Sequence, residues 1–93
     1  MKTDTTFNLL GYTKEELINH IKNCDNWESL KNSKWELDHI FPLKAFFDYK
    51  IYDVKKINIL ENLRPLSSLE NKTKNSFYDK NEFECWLKSK DWL

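Results

Sequence analysis

Glycine, proline and cysteine are scarce in this chain of 93 residues, which has one glycine, two prolines and two cysteines. So few turn-forming residues argue against a β-sandwich with many tight turns and favour helices joined by ordered loops. Cys24 and Cys85 lie far apart and belong to no Cys-x-x-Cys pair. We therefore expect two free thiols in a reducing compartment, rather than a disulfide or a zinc site.

A long apolar run is also missing. No stretch approaches the about 20 apolar residues that a membrane-spanning helix needs, and the first four residues, Met-Lys-Thr-Asp, lack the apolar segment of a secretory signal. The sequence predicts one domain over residues 1–93, with no membrane partner and a cytoplasmic location. The abundance of lysine and asparagine fits an AT-rich genome, such as that of a phage or virus.

No excess of one charge marks the whole chain, because 15 Lys and Arg balance 15 Asp and Glu. The distribution is uneven. Residues 34–75 hold eight basic and six acidic side chains, a net charge of +2, whereas residues 1–33 (four against five) and 76–93 (three against four) carry −1 each. The basic bias of the middle is small. It predicts weak, salt-sensitive affinity if the partner is a nucleic acid.

Three capping boxes indicate where helices begin. Each places a Ser, Thr or Asp three residues before a Glu, so that side chain and backbone satisfy the free N–H groups of the first turn. The pairs are Thr13 with Glu16, Ser67 with Glu70, and Asp79 with Glu82. They predict a helix from Lys14 to about Asn23, a second from near Ser68 that carries Asn71, Lys72 and Lys74, and a last helix that faces the core with Phe83, Trp86 and Leu87.

Two short strands and a loop complete the predicted α+β fold. Trp35 and Leu37 alternate with polar residues in the first strand, and Leu63–Leu66 forms the second, which Pro65 confines to an edge. Between them we expect Phe46 to pack inward, and residues 51–60 to form an ordered loop with one helical turn. Trp35 is assigned to the core by its size and aromatic character. His20 is assigned to the rim of the first helix, not to a ligand set.

The stretch Trp35-Glu36-Leu37-Asp38-His39-Ile40-Phe41-Pro42-Leu43 carries the most chemical information. It places an oxygen ligand suited to Mg²⁺ or Mn²⁺ next to an imidazole, a base that titrates near neutral pH. Neighbouring residues of a regular strand point to opposite faces, so a shared site requires a bend, which Pro42 can impose. An isolated Asp-His pair is usually a surface turn. The Asp38-His39 pair indicates a catalytic site only in combination with the motif residues that follow it.

Three segments together closely resemble the motif of the HNH nuclease family, in the subtype that ends in Asn. They are Asp38-His39-Ile40-x-Pro42-Leu43, Asn62-Leu63-Arg64-Pro65-Leu66, and Glu70-Asn71-x-x-Lys74. The nine-residue step from Asn62 to Asn71 fits the family pattern, and the motif spans residues 35–75. Segments around Leu10–Leu17 and Asn26–Glu28 are similar to those that precede the core in small phage-type members.

The resemblance implies a ββα-metal core with flanking helices, and specific roles for its residues. His39 would be the general base, Asp38 and Asn71 the ligands of a single Mg²⁺ or Mn²⁺, and Asn62 the buried amide that ties loop to strand and helps orient the base. Lys72 and Lys74 would help to hold phosphate. Arg64 would contact phosphate or pair with Glu61 or Glu70, since its guanidinium suits both.

The expected function is therefore that of a metal-dependent DNA endonuclease or nickase that hydrolyses phosphodiesters and leaves 5′-phosphate and 3′-hydroxyl ends. No separate DNA-reading segment is evident, so cleavage would be weakly sequence-selective unless a homodimer or a partner subunit supplies specificity. The alternative is a non-catalytic DNA-binding or packaging-associated module on the same fold. Asn62 and Asn71 would then be loop and cap residues, and the lysines a solvated face.

Overall fold

The elements follow one another in the predicted order, with additional short helices. The computed structural model describes residues 7–74 and 76–93. Its helices are α1 (Lys14–Lys22), α2 (Trp27–Leu30), α3 (Leu43–Asp48), α4 (Val54–Ile57), α5 (Ser68–Thr73) and α6 (Lys80–Ser89); residues 7–10 are also helical, and Leu60–Asn62 forms a 3₁₀ turn. Strands β1 (Trp35–His39) and β2 (Leu63–Ser67) pair antiparallel. The fold is α+β, as predicted.

The predicted capping residues begin the three helices assigned to them. Thr13 and Glu16 form a complete capping box, in which each side chain bonds to the backbone of the other residue. At α5 the Glu70 N–H donates to the Ser67 hydroxyl, which in turn donates to the Glu70 carboxylate at 3.0 Å. Asp79 caps α6 in the same way through its carboxylate. These local signals fix the helix starts almost without help from the rest of the fold.

Pro65 sits in β2 without interrupting the ladder. Its carbonyl accepts a hydrogen bond from the Asn26 side chain at 2.7 Å, on the side of β2 away from β1. Because the N–H and C=O of a strand residue point to the same side, the N–H that proline lacks would also have pointed away from the partner strand. Pro65 therefore removes no bond of the two-stranded sheet.

The outer edge of β2 is covered by the first helices. His20 Nε2 lies 2.7 Å from the Leu63 carbonyl oxygen. A carbonyl can only accept, so the histidine donates. With the bond from Asn26 to Pro65, this satisfies two carbonyls that a bare edge would leave to solvent. The assignment of His20 to a structural position at the rim is confirmed.

The main core lies between α3, α4 and α6, beside the sheet rather than beneath β1. Its buried residues are Ala45, Phe46, Ile57, Phe83 and Leu87. The Phe46 and Phe83 rings meet edge to face at 5.0 Å, an arrangement that aromatic quadrupoles favour. Trp86 packs against this cluster. The predicted inward positions of Phe46, Phe83, Trp86 and Leu87 are confirmed.

The assignment of Trp35 to the core is wrong. Trp35 is 36% exposed and packs edge to face on Trp27, while Leu37 is 43% exposed and Asp38 only 5% exposed. The apolar side chains of β1 are therefore partly exposed, and the carboxylate of Asp38 is buried. The reason is that the core cluster contains no β1 residue, so the buried side of β1 is available to polar partners.

Helices α3 and α6 both end in a Schellman motif without glycine. The Ile51 N–H donates back to the Phe46 carbonyl at 2.9 Å, and Lys50, at the turning position, has φ 60°. Asp91 takes the same role after α6, with φ 59°. Glycine is the usual residue at such a position because a Cβ is unfavourable in the left-handed conformation. Both ends therefore hold a side chain where the backbone disfavours one.

Two expectations about the class of protein can also be compared with the structure. Cys24 and Cys85 are both free thiols, as predicted. In the part of the chain that the structure describes, no helix is both long enough and apolar enough to cross a membrane.

Candidate active site

Four of the predicted site residues line one open cleft of about 360 Å³. Asp38 and His39 come from the end of β1, while Asn71 and Lys74 come from α5 and the residue after it. The start of α3 closes a further side with Pro42, Leu43 and Lys44. The cleft forms because α5 follows β2 directly and packs against both strands.

Asp38 is a buried carboxylate held by two cations. Arg64 Nε donates to Oδ2 at 2.8 Å, and Lys74 Nζ lies 3.0 Å from Oδ1 and 3.1 Å from Oδ2. The strand register places Arg64 directly opposite Asp38. The predicted ion-pair partners of Arg64, Glu61 and Glu70, are therefore wrong, because the nearest carboxylate across the ladder is that of Asp38.

Lys74 occupies a cradle of oxygen atoms. Besides the Asp38 carboxylate, its ammonium donates to the backbone carbonyls of His39 and Ile40. Its side chain is only 18% exposed, and the residue is the C-cap of α5 rather than part of the helix. The placement of Lys74 within the helix is wrong, and its ammonium serves as the counter-ion of Asp38 in this structure. Its contact with substrate phosphate stays a prediction. Lys72, by contrast, is exposed on α5.

His39 is fixed in one tautomer by an asparagine that the sequence did not single out. Its Nε2 lies 2.7 Å from Asn58 Oδ1, and Asn58 Nδ2 donates to the Val54 carbonyl at 3.0 Å. Because the amide NH₂ of Asn58 is committed to Val54, its oxygen faces the imidazole and Nε2 must carry the proton. Nδ1 then holds the lone pair. No sequence pattern indicated this role, which depends on how α4 ends.

Asn62 is completely buried and makes three hydrogen bonds to the backbone. Its Oδ1 accepts from the Phe41 N–H at 2.8 Å, and its Nδ2 donates to the carbonyls of Phe41 at 3.1 Å and Ile57 at 2.9 Å. These bonds join the end of α4 to the chain just after His39. The amide therefore bridges loop and strand, as the sequence predicts.

Asn71 lies in the same cleft but contacts a second carboxylate. Its Nδ2 donates to Glu36 Oε1 at 2.6 Å. Glu36 and Asp38 are two residues apart on β1 and therefore share a face of the strand. The alternation of β1 was the available signal for Glu36, which the family resemblance does not include.

The side chains around Asp38 form an ion-pair cluster instead of a ready-made cage of metal ligands. Among residues 7–74 and 76–93, no group of three or more His, Cys, Asp or Glu side chains could hold a metal ion. A cation in this cleft would therefore depend on few protein ligands and would need water or substrate oxygens to complete its shell, as Mg²⁺ commonly does.

Comparison with known proteins adds no relative. No protein-family model matches the chain, and neither the curated proteins nor the solved structures gave a match. The resemblance to the HNH family therefore depends on the motif residues alone.

Proposed function

We propose that this protein is a metal-dependent endonuclease or nickase of the HNH type, acting on the phosphodiester bonds of DNA. The observation that carries the proposal is the meeting, in one cleft, of a buried carboxylate and an imidazole with a defined free nitrogen. A base must present a lone pair towards its substrate, and Nδ1 of His39 is the nitrogen left for this.

In this proposal β1, β2 and α5 form the ββα-metal core, and Asp38 and Asn71 are the protein ligands. The donor set fits the cation, because a carboxylate and a carboxamide oxygen suit Mg²⁺ or Mn²⁺ rather than a thiolate-seeking metal. The ammonium of Lys74, cradled by the Asp38 carboxylate and two carbonyls, supports a position favourable to positive charge. A bound divalent cation would supply charge neutralisation at the scissile phosphate and the departing oxygen.

In this proposal, proton transfer, positioning of the site and contact with phosphate depend on side chains of the protein. His39 accepts at Nδ1 the proton of the attacking water, and Asn58 Oδ1 stabilises the charged ring by accepting from Nε2. Asn62 holds the segments on either side of the imidazole together. Arg64 orients the Asp38 carboxylate from the side of the sheet through its hydrogen bond to Oδ2. Lys72 is exposed and is available to a phosphate of the backbone.

One feature favours a second candidate, a DNA-binding module without turnover. Arg64 and Lys74 already neutralise Asp38, as in a structural ion-pair cluster that requires no metal. In such a module, the ion pairs would fix the end of β1 and the cleft would only bind.

The two candidates are separated by conversion of supercoiled plasmid to nicked and linear forms. We expect nicking with Mg²⁺ or Mn²⁺ and none with EDTA, because the proposed ligands give no activity without a cation. Asp38→Ala provides the matched inactive protein. Binding of DNA without nicking under any metal would reject the nuclease and support the binding module.

The metal site can be tested without DNA by replacing Lys74 with methionine. The substitution removes the competing ammonium while keeping a long apolar stem. Two unit charges 4 Å apart interact by about 4 kcal/mol near a protein surface. We therefore expect Mn²⁺ to bind at least about tenfold more tightly, a gain of roughly 1.4 kcal/mol, measured by paramagnetic resonance of free Mn²⁺. Lys72→Met, an exposed neighbour on α5, is the control. Equal affinity in all three proteins would argue against a cation at Asp38.

A further inference from the structure

An exposed apolar strip leads away from the cleft along α3. Leu43 lines the cleft, and Phe47 lies four residues later, on the same face of the helix and about one turn away. The Phe47 ring contacts that of Tyr52, with centroids 5.4 Å apart and planes inclined by 40°. The three side chains, named here the α3 strip, are 48%, 47% and 65% exposed. Exposed apolar side chains grouped in this way, rather than scattered singly, are typical of a binding surface.

The charges around the α3 strip favour an anionic partner. Residues 43–56 include four lysines and two aspartates, a net charge of +2. Asp48 is paired with Lys44 at 3.1 Å and accepts from the Tyr78 hydroxyl, while Asp53 caps α4. Lys50 and Lys55 are exposed, and neither forms an ion pair with another residue that the structure describes. The ammonium groups of Lys50 and Lys55 are therefore available to an anionic partner.

Lys50 places a cation close in the chain to the two rings of the α3 strip. It stands at the left-handed turning position after α3, with φ 60°, where glycine would relieve the clash of the Cβ. The side chain at this position carries an ammonium group, and it lies three residues after Phe47 and two before Tyr52 in the chain.

We propose that the α3 strip binds an unpaired strand of DNA that continues into the cleft. Bases stack on Phe47 and Tyr52, and the phosphates between them meet the ammonium of Lys50. Aromatic rings combined with lysines are how proteins hold single strands, since every base has a face that can stack. In a duplex those faces are covered by neighbouring base pairs, so exposed rings favour an unwound or single-stranded substrate. The cleavage of that strand depends on the proposed function, whereas its binding does not.

Binding is measured by fluorescence anisotropy of a short labelled single strand and of the matching duplex, in EDTA so that cleavage cannot intervene. We expect the single strand to bind more tightly than the duplex. Phe47→Ala and Tyr52→Ala should each weaken single-strand binding by roughly 5- to 100-fold, the usual range for a lost stacking platform. Tyr52→Phe keeps the ring and should keep the affinity. Ile18→Ala, which removes an exposed apolar side chain of α1, should have no effect.

Lys50→Gly separates binding from folding. We expect this protein to unfold at a higher temperature, because the left-handed turn is relieved, and yet to bind the single strand less tightly. Asp91→Gly relieves the equivalent turn after α6 and should raise the unfolding temperature without weakening binding. Equal affinity for single strand and duplex, or unchanged binding in both alanine proteins, would overturn the proposal. Plasmid nicking is a separate measurement. Its failure would reject the nuclease but would not affect the conclusion on single-strand binding by the α3 strip.

Discussion

Replacing His39 with alanine is expected to lower the rate of metal-dependent cleavage by roughly 10²- to 10⁴-fold, the usual contribution of a positioned general base. DNA affinity and the free energy of unfolding should change little. The imidazole is half-buried, and among residues 7–74 and 76–93 its side-chain hydrogen-bond partner is Asn58. Single-turnover nicking of supercoiled plasmid gives the rate, and anisotropy with a labelled oligonucleotide gives the affinity. A loss of rate without a loss of binding identifies a group that acts in the chemical step.

Asn58→Ala is the informative companion to His39→Ala. It leaves the imidazole in place but removes the acceptor that keeps the proton on Nε2. The free base can then take either tautomer, and the ring loses the partner that stabilises its charged form. A smaller loss of rate than in His39→Ala is expected, with no change in metal affinity. Cleavage by His39→Ala at the rate of the unaltered protein would rule out His39 as the base.

The parts of the fold that could be predicted are those encoded within a few residues. A capping box needs only a side chain and the backbone three residues away, so Thr13, Ser67 and Asp79 identified the starts of α1, α5 and α6. The role of Asn62 was also predictable, because a buried carboxamide at this motif position can form hydrogen bonds with several backbone groups of the loop. Neither prediction requires information on which helices and strands pack together.

The missed features all depend on how elements meet. Arg64 faces Asp38 because of the strand register, and Lys74 reaches the same carboxylate because α5 ends above β1. Trp35 remains partly exposed because the aromatic core formed around α3, α4 and α6 instead. Asn58 reaches His39 only through the end of α4. Sequence spacing contains no information on these distances. The electrostatic setting of the cleft was therefore the least predictable part of the site.

Asn62 is the residue whose loss should destabilise the fold most. The side chain is fully buried and satisfies three backbone groups, one N–H and two carbonyls. Alanine would leave these groups unpaired around a small cavity. A buried polar group without a partner costs about 1–3 kcal/mol, so we expect Asn62→Ala to lower the free energy of unfolding by about 3 kcal/mol. Urea denaturation followed by tryptophan fluorescence measures this directly.

Two matched substitutions show whether the hydrogen bonds of Asn62 are responsible. Asn62→Asp keeps the shape and can still accept from the Phe41 N–H, but its oxygens would face the carbonyls of Phe41 and Ile57. It should therefore be at least as unstable as Asn62→Ala, since a buried charge without donors is costly. Asn71→Ala, which removes an amide bonded to exposed Glu36, should cost well under 1 kcal/mol. If Asn62→Asp were as stable as the unaltered protein, the two donated bonds would not hold α4 to the strand, and His39 would have to be oriented by other contacts.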